Sequence, residues 1–325
     1  MTAINFVELP GHRVLEPFAD SVRRGLASKP RTLPSRFFYD ATGSDLFEQI
    51  MELPEYYLTR CETEILANHA GEIVSEVGVG LSLIEFGSGN SAKTRLLIEA
   101  ALSGSGRTHY VPIDISADCL RESTRELAEA YGDLAITAFA AEYHDAMPHL
   151  PTQEMPRLFL FMGSNVGNFE AKEAIAFLYR IASHMEPQDR LLLGTDLVKK
   201  ISTVEAAYND SRGVTAAFNK NMLRRINAEL GGQFDLDGFD HYAPFVPEHS
   251  RIEMHLVSNR RQVVPVRELD EAYTFEPGDS IHTENSHKYT FDGIDAMAAV
   301  AGLRRVRTWT DHEEWFAVSL LESAR

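Results

Sequence analysis

The chain has 325 residues, 44% hydrophobic and 24% charged, a composition that folds as a soluble globular protein with one large domain or two moderate ones. Its 31 Lys and Arg against 48 Asp and Glu give a net charge of -17, which argues against nucleic acid or an anionic membrane as partner and for a small-molecule substrate. Cys61 and Cys119 form neither a metal spacing nor a disulfide framework; with no basic leader and no run of ~18 apolar residues, the expected setting is the cytoplasm. Nothing in the sequence sets an oligomeric state, and a monomer is compatible with it.

Phe18 to Leu26 carries a short amphipathic pattern suited to a surface helix. Pro34 to Arg60 is dense in aromatics, with Phe37, Phe38, Tyr39, Phe47, Tyr56 and Tyr57. Ser44, with Glu48 after it, opens an apolar-periodic run through Leu46, Phe47 and Ile50 that predicts a helix ended by Pro54. Rings at such spacing suit a core, yet Tyr39 and Tyr56 fall at element edges beside turns, where a hydroxyl reaches a ligand.

Leu81 to Lys93, L-S-L-I-E-F-G-S-G-N-S-A-K, reads as a buried strand, a glycine turn and the start of a helix. Gly87 to Ala92 satisfies the loose dinucleotide pattern G-x-G-x-x-G/A, so a nicotinamide enzyme enters the comparison. Glu85, just before the turn, favours S-adenosylmethionine, because an anion there is unwelcome beside a pyrophosphate. Tyr110 to Asp114 reads as a second strand ending in a carboxylate placed for ribose hydroxyls, which suits either cofactor.

From there the chain alternates. Strands are expected at 81–86, 109–114, 134–140, 157–162 and 190–195, with helices around 92–103, 117–130 and 170–185. That pattern is an α/β, doubly wound parallel sheet with its ligand at the carboxyl ends of the strands, where Glu85, Asp114, Glu142, Asn168 and Asp196 fall. The fourth strand runs into Met162-Gly163-Ser164-Asn165-Val166-Gly167-Asn168-Phe169, without the Asn/Asp-Pro-Pro-aromatic turn of enzymes that methylate nucleobase amines. A nucleobase substrate is therefore disfavoured.

Residues 199–286 exceed what a doubly wound fold needs. Val204 to Leu230 reads as helix interrupted near Ser211-Arg212-Gly213, Arg251 to Val257 as a strand, and Gln262 to Val266 as its hairpin partner. Such an insertion beside a fixed cofactor site sets specificity. Ala296 to Leu303 reads as a helix and Trp315 to Leu321 as a closing strand.

Several stretches lie outside the generic cofactor fold: P-S-R-F-F-Y-D-A-T-G-S-D-L-F-E-Q-I, L-P-E-Y-Y-L-T-R, M-G-S-N-V-G-N-F, G-T-D-L-V-K-K, G-V-T-A-A-F-N-K-N and R-I-E-M-H-L. Together with E-F-G-S-G-N-S-A-K-T-R, they resemble the histidine Nα-methyltransferases of ergothioneine biosynthesis over about residues 20–325. The resemblance implies a Rossmann-like class I methyltransferase domain with a second, smaller substrate-binding α+β domain. Residues 1–60 and 199–286 would build the substrate-binding part, and 61–198 and 287–325 the methyltransferase core.

It also implies S-adenosyl-L-methionine as cofactor and transfer of three methyl groups to the α-amino group of L-histidine, giving hercynine. Gly87, Lys93 and Asp114 take cofactor roles, joining Gly89 and Glu85 of the turn read above, the latter expected beside the methionine part. Tyr39 sits near the α-amino group. Asn168 and Tyr208 match the residues on the substrate carboxylate, and Tyr56, Glu284 and Ser286 those reaching the imidazole, with Met254 beside it. Ala141-Glu142-Tyr143 stands where the family has Gly-Asp-Phe, so Glu142 would contact adenine with a longer arm. His282 and His287 flank Glu284 and Ser286, but no second cluster makes a metal site. The competing reading keeps fold and cofactor and takes another amino acid such as tryptophan; Glu284 and Ser286 speak against it.

Overall fold

The mainly apolar stretches Ser82–Phe86 and Arg157–Phe161 form strands buried along their whole length, whereas the alternating stretch Arg251–Ser258 forms a strand with one face in a core. The computed structural model describes residues 4–8, 17–78, 80–105, 108–151 and 155–324. In chain order the strands are β1 (Ile4–Glu8), β2 (Arg31–Thr32), β3 (Ser82–Phe86), β4 (Thr108–Asp114), β5 (Leu134–Ala140), β6 (Arg157–Phe161) and β7 (Arg190–Asp196). They continue as β8 (Phe239–Tyr242), β9 (Phe245–Val246), β10 (Arg251–Ser258), β11 (Gln262–Val266), β12 (Glu271–Phe275), β13 (Ser280–His287), β14 (Leu303–Thr310) and β15 (Phe316–Ser323).

Two units divide the chain. The first holds β1, Leu58–Val198 and the chain from Lys288 onward; the second holds 17–57 and Lys199–His287. The expected N-terminal segment 1–60 is thus split, because β1 pairs in parallel with β5, Phe6 beside Ala138. Its Ile-Asn-Phe-Val sequence suits an added edge strand.

The first unit is built on an eight-stranded sheet in the order β1-β5-β4-β3-β6-β7-β15-β14. All neighbours from β1 to β7 run parallel, and β15 enters antiparallel between β7 and β14. From β3 the chain goes first to β4 and β5 on one side and then to β6 and β7 on the other. The strand order therefore reverses at β3, and a crevice opens at its carboxyl end. One face of the sheet, with Ile84, Phe86, Val111, Ile113, Phe159 and Phe161, is sealed by Leu178 and Ile181 of helix Ala171–His184 and by Met297 and Ala301. Glu85, of opposite parity to Ile84 and Phe86, is on the other face.

Two C-terminal expectations need correction. The helix runs over Phe291–Val300, capped by the Thr290 hydroxyl accepting from Gly293 N at 3.1 Å, so it starts before Ala296. Leu303 opens strand β14, whose Arg304, Arg305 and Arg307 hide the strand signal because it is a solvent-facing edge.

The second unit has a sheet in the order β2-β13-β10-β8, with β9 also on β10, and a separate β11-β12 hairpin. Gln262 to Val266 therefore pairs with β12 rather than returning onto β10, both edges of which are taken by β13 and by β8 with β9. Helices Ala41–Met51 and Val214–Leu230 pack on each other, with Phe218 in ring contact with Phe38, Tyr39 and Phe47. Burial of such a ring is worth about 1.5–3 kcal/mol. The first of these helices is capped by Asp40, whose carboxylate accepts from Gly43 N at 2.7 Å, and so begins before Ser44. The break near Ser211 follows from Asp210, which accepts from Val214 N and Thr215 N at 2.9 and 2.7 Å and starts the second helix afresh.

Candidate active site

In the first unit the turn after β3 needs its glycines. Gly87 has φ +76, and a Cβ there would lie 2.6 Å from Tyr143 Oη and 3.1 Å from Asn165 Nδ2, so any other residue is strained there. Gly89 has φ +49 with no atom within 4 Å of where a Cβ would be, so its backbone borders open space. Its N–H donates to Asp114 Oδ2 at 2.9 Å, and Ser116 N donates to Oδ1 at 2.9 Å. Burial pushes the Asp114 carboxyl up, and the N–H groups of Ser116 and Gly89 oppose that. A backbone cradle open on one side and a carboxylate at the end of the neighbouring strand fit an adenosyl cofactor, the glycines giving close approach and Asp114 taking ribose hydroxyls.

Glu85, expected to face the methionine part of the cofactor, is buried with both oxygens engaged: Thr94 Oγ1 donates at 2.6 Å, and the Tyr110 hydroxyl donates to the other. Ser91 Oγ, 2.9 Å from Tyr110 Oη, extends the network. Burial pushes the Glu85 carboxyl up to about 7, against the pull of those hydrogen bonds and of the Lys93 charge. The Tyr110 phenol is held well above its usual range, first by burial and then by the Glu85 charge. Glu142 is half-buried and starts the short helix Tyr143–Ala146 without a side-chain cap. The Tyr143 ring packs edge-on against Phe86 and Phe161, centroids 5.7 and 5.9 Å apart, and burial raises its phenol.

Lys93 ion-pairs with Glu62, which is 0% exposed and also accepts from Gly163 N at 2.8 Å. Sequence reasoning missed Glu62; the available signal was an acid on the same helical stripe as Leu58, Ile65 and Leu66. Gly163 opens the turn that ends in Asn168. Ser164 there has φ +57, and its Oγ accepts from Asp196 N at 2.9 Å. Tyr289 Oη donates to Val166 O at 3.2 Å. Asp196 itself is no ligand group: it pairs with Lys288 at 2.8 Å, both side chains fully buried. Breaking such a pair from one side costs about 3–5 kcal/mol.

In the second unit the proposed substrate residues form a chain of contacts. Cross-strand pairs Met254 with Glu284 and Ile252 with Ser286 put Met254, Glu284 and Ser286 on one face of the sheet. Tyr208 Oη lies 2.6 Å from Ser286 Oγ, and its ring is 6.4 Å from that of Tyr56. Tyr56 reaches Phe47 at 6.2 Å, and Phe47 reaches Tyr39 at 5.6 Å. Asn168 belongs to the first unit, the other six to the second.

His282 and His287 pair with His255 and Arg251, on the opposite face from Glu284. There, burial lowers His255 and His282, while Glu253 is held down by Arg251 despite its own burial. Also missed was Asn219, fully buried: Thr283 Oγ1 donates to its Oδ1 at 2.8 Å, its Nδ2 meets His241 Nδ1 at 2.9 Å, and His241 Nε2 meets Tyr208 O at 2.8 Å. Burial lowers the His241 pKa, so the ring is neutral with its proton on Nε2.

The model of a family described as histidine-specific, SAM-dependent methyltransferase matches residues 18–323. The chain belongs to this family. It is 40% identical to a histidine N-alpha-methyltransferase of Mycolicibacterium smegmatis, over 94% of each chain. A protein of that description from Mycobacterium tuberculosis is 41% identical over 92% of each chain. Ergothioneine biosynthesis protein 1 of Neurospora crassa is 32% identical over 91% of this chain and 34% of that protein. As a SAM-dependent histidine methyltransferase, the chain has S-adenosylmethionine as cofactor and a small molecule as substrate. No described helix is long and apolar enough to cross a membrane.

Proposed function

We propose that this enzyme methylates the α-amino nitrogen of L-histidine three times in succession, giving hercynine for ergothioneine biosynthesis. Family membership carries the reaction class. The single structural observation that supports the substrate is the face shared by Met254, Glu284 and Ser286, with Tyr208 bonded to Ser286.

S-adenosylmethionine, when bound, supplies a methyl group on a sulfonium that needs no further activation. The chain's residues therefore mainly bind and orient, and alignment of the amine supplies much of the rate. On this reading Asp114 holds the ribose, Gly87 and Gly89 pass the backbone close to the cofactor, Lys93 and Glu85 serve its charged end, and Glu142 and Tyr143 border the adenine. Glu284 accepts from the imidazole N–H, and Ser286 or Tyr56 donates to the other ring nitrogen. Tyr208 donates to the carboxylate. Tyr39 orients the α-amino group as an acceptor; a phenol with a pKa near 10 is a poor base at neutral pH, so the proton leaves through water. Three rounds require the same residues to keep the mono- and dimethyl forms.

The test is mass spectrometry of products after incubation with S-adenosylmethionine and each of the twenty amino acids. A gain of three methyl groups on histidine alone is expected. Gain on tryptophan or another amino acid would overturn the roles given to Glu284 and Ser286, leaving fold and cofactor in place.

A further inference from the structure

One fully buried acid of the first unit has no role in the scheme above. Glu62 lies near the start of helix Tyr57–Val77, with its side chain 0% exposed. A carboxylate buried so completely is costly unless charged or N–H partners surround it. Its partners come from two turns that are far apart in sequence. One is the Lys93 ammonium, from the turn after β3; the other is Gly163 N, from the turn after β6, at 2.8 and 3.0 Å from the two oxygens.

A third element makes room for it. A Cβ on Gly194, in the middle of β7, would lie 2.3 Å from Glu62 Oε1. Glycine in a strand interior weakens the strand unless something must approach its backbone closely, and here the approaching group is this carboxylate. Charge-assisted hydrogen bonds are stronger and shorter than neutral ones, so the arrangement is stiff. The Lys93 side chain is still 24% exposed, leaving its ammonium able to serve a second anion while Glu62 holds it.

We propose that Glu62 is a positioning residue: its buried carboxylate fixes the Lys93 ammonium for the anionic end of the cofactor and ties the turn after β3 to the turn that carries Asn168. The inference rests on the cofactor role given to Lys93. Glu62 touches no reacting atom; it sets where Lys93 is. Glu62→Gln keeps an oxygen to accept from Gly163 N but removes the charge that Lys93 needs, so it isolates the ion pair.

The experiment is a double-mutant cycle by calorimetry, titrating S-adenosylhomocysteine into wild type, Glu62→Gln, Lys93→Met and the double variant, with thermal unfolding of each as a folding control. Each single variant should weaken binding about tenfold, and the double variant should be no weaker than Lys93→Met alone. A full further loss from Glu62→Gln in the Lys93→Met background overturns the inference, since Glu62 then acts by another route; so does unchanged binding in Glu62→Gln. Unchanged binding in Lys93→Met overturns the role of Lys93 itself. Should Glu62→Gln fail to fold, the cycle runs with Glu62→Asp, which keeps the charge and withdraws it by one methylene. Lys93-dependent weakening supports the inference there, and weakening that ignores Lys93 overturns it.

Discussion

The two units solve recognition with different materials. On the proposed reading, the ligand-facing parts of the first are backbone turns at strand ends, set among buried charged and polar pairs: Glu85 with Thr94 and Tyr110, Glu62 with Lys93, Asp196 with Lys288. On the same reading, those of the second are aromatic rings from helices and turns together with Met254, Glu284 and Ser286 on one sheet face, next to a hydrogen-bonded network of Thr283, Asn219 and His241. On that reading the cofactor is held by features that tolerate little change, and the substrate is read by side chains that one substitution can replace. The difference predicts that damage to the first unit is severe and general, and damage to the second is graded and specific.

The largest effect is expected from Gly87→Ala. The new Cβ would lie 2.6 Å from Tyr143 Oη in a backbone conformation of φ +76, and such strain costs on the order of 1–3 kcal/mol beyond the clash. Binding of S-adenosylhomocysteine should fall by about a hundredfold or more, the equivalent of about 3 kcal/mol. Near-normal binding would show that this turn does not border the cofactor.

Next comes pH, through Glu85. Its carboxyl is raised by burial from 4.5 to about 7, so between those values the folded chain keeps a proton that the unfolded chain has released. Stability therefore falls as pH rises through that window. Glu85→Gln removes the titration, and the urea midpoints of wild type and variant should diverge, wild type losing up to about 3 kcal/mol relative to the variant between pH 4.5 and 7.5. Parallel pH profiles would contradict the buried-acid picture.

The smallest effects are expected from two hydroxyls of the second unit. Tyr208→Phe and Ser286→Ala each remove the 2.6 Å hydrogen bond between them and should weaken L-histidine binding about tenfold, the pair together falling short of additive because that bond is lost only once. Fully additive losses would show that the hydrogen bond between the two hydroxyls contributes nothing to binding.

The two units also differed in how far the sequence revealed them. Parallel strands read as largely apolar runs bounded by turns, so Leu134–Ala140, apolar but for Thr137, was legible to the residue and its sheet neighbours nearly so. The arginine-rich edge strand β14 was not, because an edge needs no apolar alternation, and the partner of Gln262–Val266 was not, because pairing depends on which edges the rest of the fold has filled. In the second unit periodicity gave strands and helices but no site. Glu284 and Ser286 became candidates only through the family resemblance carried by motifs elsewhere in the chain, and the cross-strand register puts them beside Met254 and Ile252. Glu62 and Asn219 escaped because a buried polar residue is explained by partners distant in sequence, Lys93 and Gly163 for one, Thr283 and His241 for the other.

The division of labour between the units is tested most directly by titrating L-histidine and S-adenosylhomocysteine separately into wild type and Glu284→Ala. A buried polar site rejects a ligand it no longer complements, by about a hundredfold where an ionic hydrogen bond is lost. L-Histidine affinity should fall on that scale while S-adenosylhomocysteine affinity stays unchanged. Unchanged histidine affinity, or an equal loss for both ligands, would contradict the assignment of substrate recognition to this face of the second unit.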